Sequence, residues 1–221
     1  MVLLSREHKI QTPEKAAVND EWFVLGWTMG PITHHIEAML VLAERDKHAQ
    51  VAIVSRSIME LSGMFRWATE SKERAKAYRT KTQKLISNKE EIWQQFISGQ
   101  ADKLGVFDKL QPKNDEIYRN WISASGNSNE QKEILDRNYD ELSFFVHPSP
   151  IIAETFSGNS QELCQHYAKI GLYSVMLVIN RAIKLQIVDT GKPEQLVQSI
   201  QDLMSAINNS PNKRLQPRDM V

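Results

Sequence analysis

Apolar residues recur at three- and four-residue steps over most of this chain, and runs that alternate residue by residue are few, so the pattern predicts helices and no sheet. With only nine glycines and long stretches of good helix formers, the expected class is all-α, a single-domain bundle of about six helices. The first is expected over residues 13–29, with Thr12 as N-cap, Pro13 at the first helical position and aromatics at Trp22, Phe23 and Trp27; Gly30 and Pro31 are expected to interrupt it. A second covers residues 32–44, with Ile32, Ile36, Met39, Leu40 and Ala43 on one face, and a nearly continuous third covers 46–70. The fourth, 71–97, is very polar and repeats Tyr78, Leu85 and Ile92 every seven residues, a seam of coiled-coil type.

Residues 98–128 are the least regular, with Gly99, Gly105 and Pro112 flanking a short amphipathic piece around 116–122 that carries Tyr118 and Trp121. A helix over 129–146 follows. Pro148 ends it, because the residue before a proline is pushed out of helical geometry. The broad apolar face of residues 160–186 marks a central bundle helix, and 193–207 reads as a last amphipathic helix. Domain limits are set at residues 1–207, with 208–221 as a flexible C-terminal tail.

Charge adds little direction. Lys plus Arg and Asp plus Glu are 27 each, so no global field draws the chain to nucleic acid or to an anionic membrane. The single Cys164 excludes an internal disulfide framework and a cysteine zinc cluster, in keeping with a reducing cytoplasm. The longest apolar run falls far short of the roughly 20 residues of a membrane span, and residues 1–10 lack a signal-peptide core. His34 and His35 are adjacent and point to different sides of a helix, so no metal site is expected, and no cofactor motif is found.

Two polar ladders carry the candidate chemistry. Tyr139, Ser143 and His147 stand one turn apart in a single column beside Leu135, Leu142 and Val146; Arg56 and Glu60 stand one turn apart beside Ile53, Met64 and Trp67. Both ladders border apolar stripes that must pack, so Arg56 or Glu60 is expected within hydrogen-bonding reach of Tyr139, Ser143 or His147. Such a cluster serves either as an active site, with His147 as acid or base at a helix end, or as an inter-helix clamp. Ser143 has no glycine-rich elbow around it, which argues against acyl transfer. The polar residues His166, Tyr173 and Asn180 recur every seven residues and either line a groove or a dimer seam or face water. Lys76, Arg79, Lys81 and Lys84, within a basic stretch from Lys72, form either a phosphate-contacting patch or a solvated helix face.

The pattern Ser55-Arg56-Ser57-Ile58-Met59-Glu60-Leu61, followed by Tyr139-Asp140-Glu141-Leu142-Ser143-Phe144-Phe145-Val146-His147-Pro148, resembles uncharacterised bacterial all-helical families that are similar to HEPN-like bundles of toxins, antitoxin partners and phage-defence systems. The likeness spans roughly residues 32–187. It implies a bundle of four or five long helices, usually homodimeric, and either an interaction or regulatory module in a defence or stress system or a metal-independent ribonuclease. In the ribonuclease version His147 is the acid or base, Arg56 stabilises the charge developing on phosphorus, and Tyr139 and Ser143 orient groups. Arg137-Asn138 precedes His147 at a longer spacing than the catalytic motif of that family. The expected partners are a second copy of the chain and RNA or a protein; a third alternative is a small-molecule binder whose groove lies under residues 98–128.

Overall fold

A computed structural model describes residues 19–88, 129–146 and 160–187, together with isolated helical positions at 90, 94, 198, 202 and 205. The described residues form five long helices and no strand: α1 Asp20–Glu44, α2 His48–Ala68, α3 Lys72–Ser87, α4 Asn129–Ser143 and α5 Gln161–Lys184. The all-α expectation is met. The helix expected over 193–207, the amphipathic piece at 116–122, the start at 12–18 and the tail at 208–221 lie outside the described residues, apart from the helical positions 198, 202 and 205.

Helix α2 is the hub of the bundle and touches each of the other four. Its buried positions Val51, Ala52, Ser55, Ile58, Met59, Ser62 and Phe65 recur at helical spacing. Small residues among them let α5 come close. At Gly171 an added Cβ would stand 3.0 Å from Met39 Sδ and 3.1 Å from Ser55 Oγ, so glycine is required there by the approach of three helices. Helix α5 runs parallel to α2: Cys164 feels the charge of Asp46 before the start of α2, Gly171 meets Ser55, and Arg181 Nη2 donates to the carbonyl of Thr69 just past its end at 2.7 Å. That last bond satisfies one of the orphan carbonyls of a helix terminus.

The sequence reading put the first break in the wrong place. Pro31 lies inside α1, and the helix passes through Gly30 and Pro31 without ending. Pro31 leaves Trp27 without its helical amide donor, but both residues are exposed, so water can serve that carbonyl. The opposite face buries Val24, Leu25, Thr28, Ile32, Ile36 and Met39, and this packing outweighs the local penalty.

A break does fall at 45–47, where one helix was expected to end at 44 and the next, nearly continuous with it, to begin at 46. Asp46 adopts φ 54°, Lys47 N–H donates to Leu42 O at 3.0 Å and Asp46 N–H to Ala43 O at 3.1 Å. These are the two bonds of a Schellman motif. Helix α5 ends in the same way, with Gln186 at φ 55°, Ile187 N–H donating to Ala182 O at 3.0 Å and Gln186 N–H to Ile183 O at 2.9 Å. Neither left-handed residue is a glycine, so the ends expected at 44 and 186 rested on the hydrophobic period and not on a stop residue.

Helix starts are conventional where side chains cap them. Asn19 Oδ1 accepts from Trp22 N–H at 3.0 Å, Ser71 Oγ from Arg74 N–H at 3.2 Å and Ser160 Oγ from Leu163 N–H at 3.2 Å. Helix α3 is the polar one: Ala75 is its fully buried anchor, and Arg79 ties it to Asp20 in the first turn of α1 at 3.1 Å.

Candidate functional site

The two ladders meet at Tyr139. Arg56 Nε donates to Glu60 Oε1 at 2.9 Å along α2, Arg56 Nη2 donates across to Tyr139 Oη at 3.1 Å, and the Tyr139 hydroxyl donates on to Glu60 Oε1 at 3.4 Å. The guanidinium carbon also lies 4.9 Å from the Tyr139 ring centroid. The side chains of Arg56 and Glu60 are only 11% and 24% exposed, so this is an ion pair largely withdrawn from water and completed by a third polar group. Burial alone would lower the Arg56 pKa, but attraction and hydrogen bonds to Tyr139 and Glu60 outweigh it and leave the pKa raised.

Ser143, one turn on in the Tyr139 column, turns to its own backbone. Ser143 Oγ, on the last residue of α4, donates back to the Tyr139 carbonyl of its own helix at 2.6 Å, a common bond for a helical serine. His147 lies outside the described residues, one position past Val146. Of the five candidate residues, Arg56, Glu60 and Tyr139 are brought into one network.

The basic candidates are dispersed. Lys76, Lys81 and Lys84 are exposed on α3, whereas Arg79 is half-buried, paired with Asp20 and set over the Phe23 ring at 5.4 Å. At 100° per residue the four span about 200° of the helix surface, so they do not form one stripe.

A second polar constellation was not anticipated. An open groove between α4 and α5 is lined by Arg137, Asp140, Glu141, Phe144, Phe145 and Tyr167. Glu141 Oε1 stands 3.1 Å from His166 Nε2, and its carboxylate also accepts from the Tyr167 hydroxyl. Burial, then the charge of Glu141 and the bond to it, push the Tyr167 pKa up to about 12, so tyrosine remains a donor. Phe145 packs edge-on against Tyr167, ring centroids 5.2 Å apart, and closes the floor. The heptad stripe singled out His166, but its partner is 25 residues away on another helix, and no local pattern announces such a pair.

Among the described residues no group of three or more His, Cys, Asp or Glu side chains is arranged to hold a metal ion, and no helix is long and apolar enough to cross a membrane. His34 sits beside Glu37, Nδ1 to Oε2 3.8 Å, on the exposed side of α1. No protein-family model matches the chain, and no curated protein or solved structure is found similar to it.

Proposed function

We propose that this chain is a cytosolic, HEPN-like helical module that acts through interaction or regulation, as a homodimer, in a bacterial defence or stress system. In this reading Arg56, Glu60 and Tyr139 are an inter-helix clamp. One observation carries it: Arg56 and Glu60 spend hydrogen bonds on each other and on Tyr139, joining α2 to α4, and the Ser143 hydroxyl is engaged with its own backbone. A catalytic arginine must instead aim its donors at the place where charge develops on a substrate.

The test is purified protein incubated with single-stranded RNA in excess chelator, wild type beside His147→Ala and Arg56→Ala. The module reading expects intact RNA in all three and loss of thermal stability in Arg56→Ala. Cleavage by the wild type that disappears in His147→Ala would overturn it in favour of a metal-independent ribonuclease with His147 as proton carrier.

A further inference from the structure

The inter-helix clamp makes no use of the groove between α4 and α5. At 100° per residue, Arg137, Asp140, Glu141 and Phe144 fall within about 100° of the α4 surface, on the side opposite Tyr139 and its bond to α2. The floor is aromatic. Phe145 and Tyr167 are buried, and Phe144, 41% exposed, stands edge-on to Phe145 with ring centroids 5.9 Å apart. A ring left that open beside charged side chains gives a ligand one apolar wall and a few polar groups to orient it.

The charges along this wall are not equivalent. Glu141 accepts from the Tyr167 hydroxyl and stands 3.1 Å from His166 Nε2, so its carboxylate is held toward α5. Arg137 and Asp140 are exposed, and among the described residues neither side chain is engaged in an ion pair. They are three residues apart on one helix and so stand side by side, about 5–6 Å between Cβ atoms.

We propose that the groove binds an aromatic α-amino acid as its zwitterion, the carboxylate taken by Arg137, the ammonium by Asp140 and the ring laid against Phe144. The guanidinium offers a fork of N–H donors that fits a carboxylate, and the Asp140 carboxylate accepts only, as an ammonium requires. Charge decides among ligand classes. A simple anion would meet Asp140 as well as Arg137, and a simple cation would meet Arg137 as well as Asp140. A ligand with both charges on one carbon satisfies the two side chains together and sets no like charges against each other. The reading is independent of the clamp, because the two occupy opposite sides of α4.

The experiment is a ligand-observed NMR titration with L-phenylalanine, L-phenylalaninamide and N-acetyl-L-phenylalanine. The groove is open, so the zwitterion is expected to bind with a dissociation constant on the order of 1 mM, and the two blocked forms about tenfold more weakly. Arg137→Gln is expected to erase the preference over the amide, Asp140→Asn the preference over the N-acetyl form, and Phe144→Ala to weaken all three ligands. These positions are exposed, and unchanged circular dichroism checks that the fold is kept. The absence of saturation by L-phenylalanine up to about 20 mM would overturn the proposal. So would amide binding as tight as that of the zwitterion, which would mark a plain cation site, or preferences that survive in Arg137→Gln and Asp140→Asn.

Discussion

At the scale of single residues, the Arg56, Glu60, Tyr139 triangle concentrates most of the polar energy at the α2/α4 contact. Removing the carboxylate leaves a guanidinium 11% exposed beside a phenol, whereas removing the phenol leaves the ion pair whole. Glu60→Ala is therefore expected to cost about 2–4 kcal/mol, somewhat below a fully buried pair because Glu60 keeps some contact with water. Tyr139→Phe should cost less, about 1–2 kcal/mol, for the bond from Arg56 and the longer one to Glu60. Urea unfolding of the two variants checks the order, and equal losses would show that the ion pair adds nothing beyond the tyrosine bond. The meeting of the ladders was legible because one-turn spacing beside an apolar stripe obliges a polar side chain to find a partner. The orientation of Ser143 was not, since its choice between its own carbonyl and a neighbour is settled by packing. A second residue-level expectation concerns alkaline pH. Burial raises the Cys164 thiol from 9.0 to about 11 and, with Glu141, the Tyr167 phenol from 10.0 to about 12. Both groups are neutral at lower pH in folded and unfolded chains alike. The unfolded chain releases its protons first, so their stabilisation is complete below pH 9 and is lost between about pH 9 and 12. Tyr167→Phe should flatten the upper part of that decline in denaturation midpoints measured against pH.

At the scale of elements, the helices were read from periodicity, and the break expected at Gly30 and Pro31 was misread because tertiary packing decided it. Gly30 and Pro31 have the local character of a stop, yet α1 buries Val24, Thr28, Ile32 and Ile36 on the far side and continues. Asp46 and Gln186 lack the character of a stop and end helices in left-handed conformation. Both exceptions predict gain on repair. Pro31→Ala restores an amide donor and removes a ring from the helix interior, so it should stabilise the chain by about 1–3 kcal/mol. Gln186→Gly, at an exposed position with φ 55°, should add about 1 kcal/mol by relieving the side chain's left-handed cost. Thermal melts would show both as upward shifts; a fall for Pro31→Ala would mean that the proline holds a bend the packing needs.

At the scale of the whole molecule, the bundle is organised around α2, and its stability should be graded outward from that helix. Among the described residues helix α2 has eleven buried positions and contacts with the other four helices, whereas α3 is held there chiefly by Ala75, the half-buried Tyr78 and the Arg79–Asp20 pair. Local opening costs little where few apolar contacts must be broken, so amide protection follows contact density rather than helical propensity. Helix α3 is rich in good helix formers, and judged by local preference alone it should resist opening well. The tertiary argument gives the opposite order. Amides in the middle of α2 and α5 are expected to exchange only through global unfolding, with one shared free energy, and those of α3 to exchange through a cheaper local opening. Native-state hydrogen exchange resolved by residue decides between the two: α3 protected as strongly as α2 would mean that this bundle opens as one cooperative unit and that its central helix holds no privileged place in it.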